Sequence, residues 1–136
     1  MSNRLLNQFQ YTYEKDTVTI YGSVSVGASG AVSAIQGGGI AAAAKESTAG
    51  QYTITMSDKF SRLLDFSAQI VDDANSAVAH IQLKQAPETL QADVKGDKQI
   101  LIQCLDYAGS AANPADGSAI FLKIVMRNSS VGPYDS

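Results

Sequence analysis

Side chains that carry chemistry are scarce in this chain. Its 136 residues include one histidine, one cysteine and no tryptophan. One cysteine cannot close an intramolecular disulfide, so stability has to come from packing. One histidine supplies neither a metal-ligating pair nor the base of a recognisable nucleophile–base motif. Charge is also lean. Charged residues make up 17% of the chain, against about a quarter in ordinary domains. The 10 basic and 13 acidic side chains leave a net charge of −3. The basic residues are scattered, with no cluster to neutralise phosphates, so nucleic acid is not an expected partner. No run approaches the roughly 18 apolar residues that cross a bilayer. The opening MSNRLLNQFQYTY has neither the apolar stretch nor the cleavage site of a signal peptide, so neither membrane insertion nor secretion is expected.

What is present is a β rhythm. Hydrophobic residues form 45% of the chain, enough for one modest core, and the length suits a single domain over residues 1–136. Phe9, Tyr11 and Tyr13 alternate with polar residues, as do Val18 and Ile20, then Val24 and Val26. Period-two alternation of β-branched and aromatic residues reads as half-buried strands. GASG (27–30) is a turn, AVSAIQ a short strand, and Gly37-Gly38-Gly39 a break. IAAAAKE, STAG and QYTITM read as a hairpin with Tyr52, Ile54 and Met56 on one face. SDKFSRLL (57–64), with Ser57 or Asp58 as cap and Phe60, Leu63 and Leu64 at helical spacing, reads as the one short helix.

FSAQIV and AVAHIQLK continue the strands, the latter with Val78, His80 and Gln82 opposite Ala79, Ile81 and Leu83. Pro87 ends it, and Lys95–Lys98 reads as a turn. Ile100 and Ile102 centre another strand. AIFLKIVMRN is the most apolar strand, and the expected place for it is central. Nine or ten strands with turns every eight to twelve residues predict a mainly β, antiparallel β-sandwich or jelly roll. An extended N-terminal segment (about 1–14) and a C-terminal tail (about 128–136) flank it.

No catalytic, cofactor or metal site emerges. His80 and Cys104 read as structural, the cysteine as a small buried hydrophobe. Asp72-Asp73 reads as a turn, with no calcium-loop spacing around it. Gly37-Gly38-Gly39 lacks the pattern of a phosphate cradle. The scattered tyrosines read as half-buried strand residues with hydroxyls at the rim. Function is therefore expected in a surface. The candidate partner contacts are Phe9, Tyr11 and Tyr13 in the N-terminal segment, Asn113 and Pro114 in the long loop 109–118, which reads as flexible, and Val131, Pro133 and Tyr134 in the tail. Such arms either lie across a neighbouring subunit or fray.

The stretch from Gly22 to Leu64 resembles small virion proteins of tailed bacteriophages. The matching motifs are Gly27-Ala28-Ser29-Gly30, Gly37-Gly38-Gly39-Ile40, Gly50-Gln51-Tyr52-Thr53-Ile54-Thr55, and Asp58-Lys59-Phe60 through Leu63-Leu64. The ending FLKIVMRNSS is similar to their closing strand, while the alanine-rich IAAAAKES departs from the pattern. The resemblance implies a capsid decoration, or cement, protein. Such a protein binds the capsid exterior, contacts the major capsid protein, and is a homodimer or homotrimer. It is made in the host cytoplasm and ends in the virion. The alternatives are another virion part, such as a head fibre or tail component, and a carbohydrate-binding β-sandwich. An enzyme is not expected.

Overall fold

A computed structural model describes residues 17–72 and 78–127. The strands are β1 (Thr17–Val26), β2 (Val32–Gln36), β3 (Ile40–Lys45), β4 (Gln51–Met56), β5 (Arg62–Val71), β6 (His80–Leu83), β7 (Gln99–Leu105) and β8 (Ala119–Arg127). One α-helix, α1 (Pro87–Gly96), lies between β6 and β7. The strands form two antiparallel four-stranded sheets, ordered β2-β1-β8-β5 and β3-β4-β7-β6. This is the antiparallel β-sandwich with one helix that the strand rhythm predicts. The expected N-terminal strand around Phe9–Tyr13 and the C-terminal tail lie outside the described residues, as does most of the 72–76 turn.

The core forms where the inward rows of the two sheets meet. Val24, Tyr52, Ile54, Met56, Ile100, Ile102, Ile120, Ile124 and Met126 are fully buried. Each such side chain stabilises the fold by roughly 1.5–3 kcal/mol. β8 is central, between β1 and β5, as its apolar sequence requires. β3 is a strand despite its four alanines. Its backbone pairs with β4 from Ile40↔Met56 to Lys45↔Tyr52, and that pairing outweighs a propensity of a few tenths of a kcal/mol per residue.

The corner joining the sheets explains two glycines. Gly37 has φ +129, and a Cβ there would stand 2.6 Å from the carbonyl oxygen of Tyr21. Gly22 occupies an inward position of β1 that the Ile40 side chain already fills. A Cβ on it would lie 2.1 Å from Ile40 Cδ1 and 2.9 Å from the Gln36 carbonyl oxygen.

The helix is not where the sequence reading put it. Residues 57–61 are bends and coil, and β5 begins at Arg62. The reason is competition for backbone groups. Ser61 N–H and Ser61 Oγ both donate to the Arg127 carbonyl. The side-chain amide of Gln91 accepts from Leu63 N–H at 2.8 Å and donates to Leu63 C=O at 3.0 Å. This draws the segment onto the sheet, so the spacing of Phe60 and Leu63 reflects packing rather than a helical period. The actual helix buries Leu90 and Val94, one turn apart, with Pro87 at its start, Glu88 in the first turn and Lys95 in the last. Lys95–Lys98 is the end of that helix and not an isolated turn.

Candidate interaction surface

Because side chains alternate along a strand, each sheet has an outward row for every inward one. On β8, Ile120, Leu122, Ile124 and Met126 point in, and Phe121, Lys123 and Val125 point out. On β1 the outward positions include Tyr21, Ser23 and Ser25. On β5 they are Asp65, Ser67, Gln69 and Val71, all exposed. Register sets these in rows. Tyr21 pairs with Lys123, which pairs with Ser67. Ser23 pairs with Phe121, which pairs with Gln69. Ser25 pairs with Ala119, which pairs with Val71. Tyr21 and Phe121 are thus diagonal neighbours on one face, within reach of each other.

This face leaves large apolar groups in water. Tyr21 is 66% exposed, Phe121 53% and Val71 47%. An open groove of about 550 Å³ runs between β1 and β5 across β8, with Tyr21, Phe121 and Lys123 at its rim. The expected half-buried tyrosine at Tyr21 is corrected to an exposed one, and Tyr107 is more exposed still, at 88%. A signal was available in the sequence. Phe121 shares its strand parity with Lys123, so it faces outward with the charge.

The opposite outer face is different. Its outward residues are Ala42, Ala44, Gln51, Thr53, Thr55, His80, Gln82, Gln99, Leu101, Gln103 and Leu105, and its two leucines are half-buried. Gln103 is buried there, because its Nε2 donates to the carbonyls of Ala49 and Cys104 at 3.0 and 2.9 Å.

The loops at one end of the sandwich are tied together. Asn113 Oδ1 accepts from Gly50 N–H at 2.7 Å. Tyr52 Oη donates to the Gly30 carbonyl at 2.5 Å. Gly117 N–H bonds the Val26 carbonyl, Ala112 N–H the Cys104 carbonyl, and Asp106 Oδ1 accepts from Ala108 and Ser110. The expected flexible loop 109–118 is therefore extensively hydrogen-bonded. Its two candidate contacts turn inward, Asn113 half-buried as a clamp on Gly50 and Pro114 buried. Phe9, Tyr11, Tyr13, Val131, Pro133 and Tyr134 lie outside the described residues.

Tyr52 and Cys104 mark the dry interior beneath this end. Burial, with the neighbouring Cys104 adding to it, pushes the Tyr52 hydroxyl up to about 12. Burial alone pushes the Cys104 thiol up to about 12. A thiol held protonated is a packing group and not a nucleophile, as the sequence suggested. His80 is exposed on β6, opposite Leu105. Among the described residues, no three His, Cys, Asp or Glu side chains stand where they could hold a metal.

No family model, curated protein or solved structure matches the chain.

Proposed function

We propose that the chain is a structural virion protein that decorates the exterior of a tailed-phage capsid and ties neighbouring major capsid subunits together. The observation that carries this reading is the outer face of β1, β8 and β5, where Tyr21, Phe121 and Val71 stay exposed around a groove. Exposed aromatics of this kind are the usual anchors of protein–protein contact. The choice of partner rests on the resemblance of the Gly22–Leu64 motifs to those of small virion proteins. The mechanism is avidity. Each copy makes modest contacts to more than one shell subunit, and oligomerisation makes them simultaneous. A protein that binds the expanded shell and not the unexpanded one stabilises the expanded state by mass action.

The test is the copy number of the chain relative to the major shell protein in purified virions, by quantitative mass spectrometry. Decoration requires a simple fixed ratio to the shell protein. A few copies per particle would reassign it to a tail or fibre, and absence from the particle would end the virion reading.

A further inference from the structure

The groove across β8 carries one charge. Among its lining residues Lys123 is the charged one, and none is a carboxylate. Lys123 lies on the middle strand of the three, with Tyr21 beside it on β1, Ser67 beside it on β5 and Phe121 two residues along its own strand. Its side chain is exposed. The outward carboxylate of β5, Asp65, stands one row away opposite Val125, and its Oδ1 accepts from Phe66 N–H at 2.8 Å. The groove is therefore a cationic spot on a chain of net charge −3.

Water solvates this ammonium while the face is open. Covering the face removes that water. An ammonium has three donors and no acceptor, and its desolvation opposes binding unless an opposite charge meets it. The groove holds no such charge, so whatever covers Tyr21 and Phe121 has to bring one. Two strand intervals separate β1 from β5, about 10 Å, which is room for one extended segment. A second copy laid face to face would bring the same lone cation, and like charge would meet like.

We infer that the occupant of this groove is an acidic segment of the shell protein, whose aspartate or glutamate carboxylate pairs with Lys123 while its apolar neighbours pack on Tyr21 and Phe121. This rests on the reading that the face docks on a shell, and it names the chemistry of that contact. The aromatics supply contact area to any apolar segment. Lys123 selects among such segments, because a neutral or basic one leaves a buried charge unpaired.

The experiment is co-sedimentation of the full-length chain with purified expanded shells, for wild type, Lys123→Arg, Lys123→Met and Lys123→Glu, with circular dichroism checking each fold. Lys123→Met keeps the length of the side chain and strands the shell carboxylate, so binding is expected to weaken at least 30-fold, on the order of loss of one member of a buried charge pair. Lys123→Glu sets like charges together and is expected to weaken it by about 100-fold or more. Lys123→Arg keeps the charge and is expected to stay within about fivefold of wild type. A second measurement needs no variant. Zero-length carbodiimide cross-linking of bound wild type, read by peptide mass spectrometry, is expected to join Lys123 to an aspartate or glutamate of the major shell protein. If wild type binds shells and Lys123→Met and Lys123→Glu bind as tightly, this inference falls and the shell reading stands. The same holds if Lys123 stays unlinked or is joined to a neighbouring copy of this chain. Wild type that does not bind shells overturns both.

Discussion

The two outer faces of the sandwich are built by the same strand geometry and do opposite things with it. On the β1–β8–β5 face the outward row leaves Tyr21, Phe121 and Val71 in water. On the β3–β4–β7–β6 face the outward row holds small and polar residues such as Ala42, Ala44, Thr53 and Thr55, its leucines Leu101 and Leu105 are half-buried, and its buried member, Gln103, binds the Ala49 turn. Hydrophobic burial cannot explain exposed aromatics, because they gain nothing from the fold of one chain. The first face therefore has side chains that stability does not require. The second has side chains that stability uses. Substitution should separate the two.

The largest effect is expected on the first face. The double variant Tyr21→Ser/Phe121→Ser should weaken binding to expanded shells by roughly 100-fold, about 3 kcal/mol, as loss of two aromatic anchors does. Its thermal stability should stay within about 0.5 kcal/mol of wild type. Co-sedimentation with shells and a melting curve check both halves. Loss of fold stability without loss of binding would reverse the roles of the faces.

Next comes the interior between the faces. Tyr52 and Cys104 both have folded-state values raised to about 12. The folded state holds these protons more tightly than the unfolded chain, so stability is complete below the unfolded-state values. It falls as pH rises through the window from about 9 to 12. Denaturant titrations should show a loss on the order of a few kcal/mol by about pH 11. In Tyr52→Phe the tyrosine part of that loss should vanish, leaving a chain about 1–3 kcal/mol less stable at neutral pH because the Gly30 carbonyl loses its donor.

A smaller effect belongs to the second face. Gln103→Ala should cost roughly 1–2 kcal/mol in urea unfolding, through the abandoned carbonyls of Ala49 and Cys104. Shell binding should be unaffected. The smallest effect is the control, Thr55→Ser, at an outward position of the same face. It should change both stability and shell binding by less than about 0.5 kcal/mol.

Much of this architecture was legible in the sequence because strands with one wet face announce themselves by alternation. The pairing Tyr52, Ile54 and Met56, the triple-glycine break and the central place of the last strand all follow from local pattern. The helix was not read, although Pro87, Glu88, Leu90, Val94 and Lys95 occupy helical positions. Proline both ends strands and begins helices, and only the spacing beyond it decides between them. Residues 57–64 failed for the reverse reason. Their partners, Gln91 and Arg127, are 28 and 66 residues away from Leu63 and Ser61, and no local window contains them. The same distance hid the role of Asn113, whose amide clamps a turn 63 positions away.

The bond between Gln91 and Leu63 has a consequence for phase behaviour. An exposed strand edge is a template on which identical chains stack into fibres. At the start of β5, both backbone groups of Leu63 are occupied by a helix side chain, the pairing with β8 slips between Leu63 and Asp65, and Phe66 N–H donates to Asp65 Oδ1. A newcomer at that margin finds its hydrogen bonds already taken and the pleat out of step. The glutamine, besides closing a fold, removes the first rung of β5 as a template for such stacking.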